Sequence, residues 1–160
     1  MTWQLRRATV DDLDAIMTLE SALFENDAWS PAVMRGELAD KHSYYLVAFP
    51  PSDPSRIDGY AGLRAPRRQS QADIQTIGVA ESARRQGLGR VLMLRLVDEA
   101  RDRGAAEVFL EVRADNAGAQ SLYGSLGFEQ LAVRPKYYQP DGVDAVVMRL
   151  SIQPPKAGLA

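Results

Sequence analysis

Apolar and polar positions follow two periods along this chain, and the switches between them divide it into elements. Trp3 to Arg6 reads as a short strand. Thr9 stands as an N-cap with Asp12 in a capping-box position, and Leu13, Ile16, Met17, Glu20 and Leu23 then keep helical spacing up to the turn residues Asn26 and Asp27. Ser30 and Pro31 open a second helix that carries Met34 and Leu38. Tyr44 to Phe49 and Gly59 to Leu63 read as two strands of a hairpin around the loop from Pro50 to Asp58, and Ile74 to Val79 as the next strand. From Gly87 to Arg103 the spacing of Leu88, Val91, Leu92 and Leu96 predicts a long helix, ended by Gly104.

Val108 to Val112 is almost continuously apolar, as expected of a strand buried on both faces. A helix from Gly118 to Leu126 closes at Gly127, a strand begins at Phe128, and Asp144 to Ser151 supplies the last one. The order is strand, two helices, three strands, helix, strand, helix, two strands. That order predicts one mixed α/β sheet rather than an alternating Rossmann unit. Residues 1–152 are expected to form a single domain, with 153–160 a flexible C-terminal tail.

At 160 residues and 46% hydrophobic, the chain has enough apolar surface for one sizeable core. The absence of cysteine rules out disulfides, thiolate metal sites and a cysteine acyl-enzyme. No metal is expected, because the lone His42 has no second histidine to join it and reads as a loop or surface residue. Met1 to Arg7 has no apolar region of signal-peptide type, and no apolar run approaches bilayer length, so a soluble cytoplasmic protein is expected.

Charge is uneven. Arg56, Arg64, Arg67, Arg68, Arg84, Arg85 and Arg90 crowd the middle, whereas residues 1–40 carry Asp11, Asp12, Asp14, Glu20, Glu25, Asp27, Glu37 and Asp40. The first cluster suits an anion and the second a cationic substrate, unless both are ordinary solvated faces.

The segment Ile77-Gly78-Val79, then Arg84-Arg85-Gln86-Gly87-Leu88-Gly89-Arg90, runs from a strand through a glycine-rich turn into a helix. Unpaired amides at a helix N-terminus, the helix dipole and flanking arginines together suit a phosphate, unless the segment is simply a Gly-rich turn capping a helix. Two nucleotide motifs fail on this turn. A P-loop requires Gly-Lys-Ser/Thr after its first glycine and four spacers, and a dinucleotide fingerprint requires a third glycine or alanine where Leu92 stands.

Arg84-x-x-Gly87-x-Gly89 after the Ile77 to Val79 strand resembles the acetyl-CoA pyrophosphate loop of the GNAT superfamily. Leu110-Glu111-Val112-Arg113-Ala114-Asp115-Asn116, with Ala119, Leu122-Tyr123 and Ser125-Leu126-Gly127-Phe128, resembles its second signature. Leu-Glu-Val-Arg with an Asn five residues after the Glu, and the later Arg134-Pro135-Lys136-Tyr137-Tyr138, is similar to the bacterial RimI-type ribosomal-protein-alanine N-acetyltransferases. The resemblance spans about residues 73 to 150. It implies a single-domain GNAT-like fold, a mixed and mostly antiparallel central sheet flanked by helices.

It also implies site residues. The backbone of Ile77, Gly78 and Val79 would meet the acetyl and pantetheine groups of acetyl-CoA. The segment Arg85, Gln86, Gly87, Leu88, Gly89 and Arg90, opened by Arg84, would hold the pyrophosphate. Asn116 matches an asparagine that contacts the cofactor arm, Glu111 the general base, Tyr123 the general acid, and Tyr137 and Tyr138 residues of the acceptor groove.

Other readings stand beside these. Glu111 could face solvent or form a structural ion pair with Arg113 or another arginine, Tyr123 could be core packing, and the paired tyrosines could pack on a sheet edge. The implied activity is acetyl transfer to a protein α-amine, in a small-subunit ribosomal protein beginning with alanine, by direct attack in a ternary complex. The implied assembly is a monomer or weak dimer, with no direct nucleic-acid or membrane partner. A GNAT enzyme acting on a small amine or lysine side chain, and a catalytically silent acyl-CoA-binding or ribosome-associated module, are the alternatives. Ser82-Ala83 before the loop and the long hairpin from Pro50 to Asp58 depart from the family pattern.

Overall fold

Thr9 and Asp12 form the capping box that their spacing predicts, with the Asp12 carboxylate accepting the Thr9 amide proton at 2.9 Å. A tight turn over Val10–Asp12 leads into α1, Leu13–Phe24. Ser30 accepts the Val33 amide proton and Pro31 takes the first position of α2, Pro31–Ala39. A computed structural model describes residues 2–152, and the tail expected at 153–160 lies outside the described residues.

The strands are β1 (Gln4–Arg7), β2 (Ser43–Phe49), β3 (Gly59–Arg64), β4 (Gln71–Val79), β5 (Glu107–Arg113), β6 (Glu129–Tyr138) and β7 (Val143–Ser151), with α3 (Leu88–Asp102) after β4 and α4 (Ala117–Ser125) after β5. They form one seven-stranded sheet in the order β1-β2-β3-β4-β5-β7-β6. Every pair is antiparallel except β4 with β5. The mixed, mostly antiparallel sheet is thus the expected one.

The parallel pair is the feature that makes a site. Its pairing covers only Gln71↔Glu107, Ala72↔Val108 and Asp73↔Phe109. Beyond Asp73 the two strands part, and β4 continues on β3 alone. A bulge helps: Gly62 pairs with Thr76 and Leu63 with Ile74, so Gln75 is the extra residue that bends β4. A cleft therefore opens between the C-terminal halves of two parallel strands, where α/β sheets bind ligands.

Two cores flank the sheet. Leu88, Leu92, Met93, Leu96 and Val97 of α3 pack on Leu46, Leu63, Ile74, Val108 and Leu110. On the other face, Leu13 and Ile16 of α1 and Met34 of α2 pack on Tyr45, Val47 and Tyr60. Two glycines let the tyrosines lie flat on the sheet: a Cβ at Gly62 would fall 2.2 Å from the Tyr45 ring, and one at Gly78 2.6 Å from the Tyr60 ring.

β5 corrects an expectation. It is not buried on both faces: Val108, Leu110 and Val112 face the α3 core, while Glu111 is exposed and Phe109 and Arg113 are half-buried. The helices α1 and α2 pack on Tyr45, Val47 and Tyr60 of β2 and β3, and on its Glu111 face β5 meets the turn between them, through Arg113 and Asp27, rather than a helix face.

Candidate active site

At the cofactor end, Ile77, Gly78 and Val79 pair with Ala61, Tyr60 and Gly59 of β3, so only their far edge faces the cleft. The turn that follows exposes Arg84, Arg85, Gln86, Gly87 and Arg90. Gly87 adopts φ +85 as the N-cap of α3, with no side chain capping the helix start. The first amides of α3 are thus left for a ligand, and a left-handed residue is needed there to turn the chain. Arg85 also has positive φ, at 61. These features fit a diphosphate.

Three details refine the expected set. The Leu88 side chain is buried in the α3 core, so only its backbone can serve. Arg90 donates to the Ser125 hydroxyl at 3.2 Å, which links α3 to α4. Asn116 is the N-cap of α4: its side-chain oxygen accepts the Ala119 amide proton at 3.0 Å, leaving the NH2 group for a ligand.

Glu111 lies on the face of β5 opposite α3, with its side chain 33% exposed, and its partner is Arg134 of β6 at 3.5 Å. It does not pair with Arg113, and the ion pair with another arginine that stood as the alternative reading is the one present. Arg134 in turn lies over the Tyr137 ring, 5.4 Å from its centre. Tyr137 and Tyr138 meet edge to face at 5.1 Å, and Arg113 lies 5.3 Å from the centre of the Tyr138 ring.

Tyr123 is only 6% exposed and packs edge to face on Phe128, so it does belong to the core. Its hydroxyl has no partner among the described residues. Burial, and then the neighbouring Tyr138, push its phenol up to about 12. Tyr138 is also pushed up to about 12, by burial, then by the charges of Glu111, Tyr137 and Asp27, against the opposing pull of Arg113. Tyr138 thus stands near enough to Glu111 to feel its charge, and near enough to Tyr123 to raise it. Asp73, on β4, is raised by burial and then by the Glu111 charge.

Much of the uneven charge resolves into ion pairs. Arg56 binds Asp58, Arg64 binds Asp40, Arg6 binds Asp12 and Arg113 binds Asp27. His42 lies in the turn before β2 and lines a hollow with Arg64, Pro66 and Arg67. No cluster of His, Asp and Glu able to hold a metal occurs among the described residues, and no helix among them is long and apolar enough to cross a membrane.

The sheet is parted between two parallel strands, with a helix start beyond one and a carboxylate on the other, and residues 11–128 match the Acetyltransferase (GNAT) family. The chain belongs to that family and is an acetyl-CoA-dependent N-acetyltransferase. Within the family it is similar to the N-alpha-acetyltransferase RimI of Mycobacterium tuberculosis (strain ATCC 25618 / H37Rv), 38% identical over 141 residues that cover 86% of this chain and 85% of the relative. Its structure matches that of the ribosomal-protein-S18-alanine N-acetyltransferase from Escherichia coli with a TM-score of 0.85, at 30% identity, over 99% of both chains. Arabidopsis thaliana NAA60 in complex with acetyl-CoA shares the fold, with a TM-score of 0.84 at 18% identity, over 94% of this chain and 99% of that one.

Proposed function

We propose that this enzyme acetylates the N-terminal α-amine of a protein, a small-subunit ribosomal protein beginning with alanine, in the cytoplasm, by direct attack on acetyl-CoA. The observation that carries the reading is the composition of the cleft. Glu111 on β5 pairs with Arg134, which lies over Tyr137, and its charge reaches Tyr138, while the helix start at Gly87 follows the turn after the other parted strand. The likeness to RimI and to the S18-alanine enzyme supports the same acceptor class.

The amides of residues 85–90 hold the diphosphate, Asn116 meets the cofactor arm, and the free edge of Ile77, Gly78 and Val79 binds the pantetheine and polarises the thioester carbonyl. An α-ammonium has a pKa of roughly 7.7–8.0, so most of it must lose a proton before it can attack. Solvent takes that first proton, and Glu111, directly or through water, takes a second as the neutral nitrogen bonds to the carbonyl carbon. The C–S bond then breaks, and Tyr123 gives its phenolic proton to the departing thiolate. With no cysteine in the chain, no cysteine acyl-enzyme intervenes. The protein acts as a monomer or weak dimer, without nucleic acid.

The pH profile tests the proton donor. With Tyr123 pushed up to about 12, the donor keeps its proton across the working range. The rate should climb as the acceptor amine deprotonates and then hold a plateau to about pH 10. Tyr123→Phe should lower kcat by about 10²-fold at every pH, with acetyl-CoA affinity within about twofold of wild type. A wild-type rate that falls near pH 9 would remove Tyr123 from this role.

The acceptor class is tested by thiol release from acetyl-CoA with a panel of short peptides that differ at their first residues, beside N-terminally blocked, lysine-blocked and small-amine controls. Turnover only with free α-amines supports the proposal. Turnover confined to lysines or small amines would assign a different acceptor, and acetyl-CoA binding without turnover would make the chain a silent binding module.

A further inference from the structure

Arg113 stands two residues beyond Glu111 on β5 and so projects from the same face of the sheet. Its guanidinium gathers carboxylates from three separate segments. Nη1 donates to Asp27, in the turn between α1 and α2. Nε and Nη2 donate to Asp115, just beyond β5, at 3.0 and 3.1 Å, and Nη2 also donates to Asp141, between β6 and β7, at 3.1 Å. The face of the same guanidinium lies over Tyr138.

The three partners depend on it unequally. The Asp27 side chain is 13% exposed, against 40% for Asp141. Asp27 Oδ1 is buried with no hydrogen-bond partner. A carboxylate placed so cannot fall back on water while its turn stays closed, and Arg113 is the cation that compensates it. Without Arg113 the α1–α2 turn must swing outward to rehydrate Asp27. Asp141 can turn to solvent where it stands, but the β6–β7 turn then loses its tie to β5.

We propose that Arg113 is a positioning residue for the acceptor: one guanidinium pins both turns that flank the acceptor side of the cleft to the strand that carries Glu111. This inference rests on the α-amine reading above only in calling that side of the cleft the acceptor's. Binding three segments at once requires a planar fork with several fixed donors, which a lysine ammonium does not provide. The acetyl-CoA loop, on β4 and α3, lies outside the network.

Arg113→Gln and Arg113→Lys, with Asp141→Asn for comparison, test the inference by hydrogen exchange and steady-state kinetics. In both Arg113 variants, residues 25–29 and 139–142 should exchange faster than in wild type, while α3 and the β4 core stay protected. Acceptor KM should rise about tenfold or more, with kcat and the KM for acetyl-CoA within about twofold. Asp141→Asn should loosen residues 139–142 alone, and adding it to Arg113→Gln should raise acceptor KM no further. Wild-type exchange in both turns, full rescue by lysine, or a parallel rise in acetyl-CoA KM would overturn the inference. If the wild-type enzyme acetylates no α-amine, that reading fails, and the exchange data alone decide whether Arg113 pins the two turns.

Discussion

Glu111→Gln is expected to lower kcat/KM for an α-amine acceptor by about 10²–10⁴-fold, the usual contribution of a positioned base. Glutamine keeps the shape and one acceptor oxygen but cannot take a proton. The side chain is exposed and its partner Arg134 lies at 3.5 Å, so the substitution removes a surface pair worth only ~0–1 kcal/mol. Thermal unfolding should shift by no more than a few degrees. Acetyl-CoA affinity should hold, because the residues proposed to bind the diphosphate belong to the turn before α3. Binding by calorimetry beside initial rates separates these terms. Turnover within threefold of wild type would show that Glu111 is not the base.

The largest effect on stability is expected at Glu20. This carboxylate of α1 is 2% exposed, and it accepts the Tyr60 hydroxyl, the Trp29 amide at 3.0 Å and the Thr76 hydroxyl at 3.3 Å. It thereby joins α1 and the α1–α2 turn to the middle of the sheet. Glu20→Ala opens a cavity and strands three donors, and should cost about 3–5 kcal/mol. Glu20→Gln keeps an oxygen for Tyr60 but turns an NH2 toward the Trp29 amide, and should cost about 1–2 kcal/mol. Urea unfolding of both variants checks the order. Equal losses would mean that the hydrogen bonds, rather than the cavity, set the effect.

Local features of this fold could be read from sequence because their causes are local. The capping box at Thr9 and Asp12, the Ser30-Pro31 helix start and the glycine-rich turn that opens α3 at Gly87 each depend on neighbours within a turn. The misreading of β5 had a tertiary cause. Val108-Phe109-Leu110-Glu111-Val112 is apolar enough for a strand covered on both faces, yet a helical core covers only one of them, because α1 and α2 pack on β2 and β3. Alternation within the strand held a signal: it puts Phe109, Glu111 and Arg113 on one face.

The acceptor side was only half legible. The resemblance singled out Glu111, Tyr123, Tyr137 and Tyr138, but Arg134 as the partner of Glu111 was out of reach, because β6 shifts register twice, between Gln130 and Ala132 and between Arg134 and Tyr138. Counting along that strand cannot tell which side chain meets β5. Asp27 and Asp141 were hidden for another reason. They lie in turns far apart in the chain, and only the folded sheet brings both to Arg113.

The central claim, acetyl transfer to an α-amine, is tested most directly by tandem mass spectrometry on a single peptide that begins with alanine and contains an internal lysine, after incubation with the enzyme and acetyl-CoA. The account predicts one added acetyl group, carried by the first residue's nitrogen and absent when Glu111→Gln replaces the wild type. Acetyl on the lysine, with the α-amine left free, would contradict it.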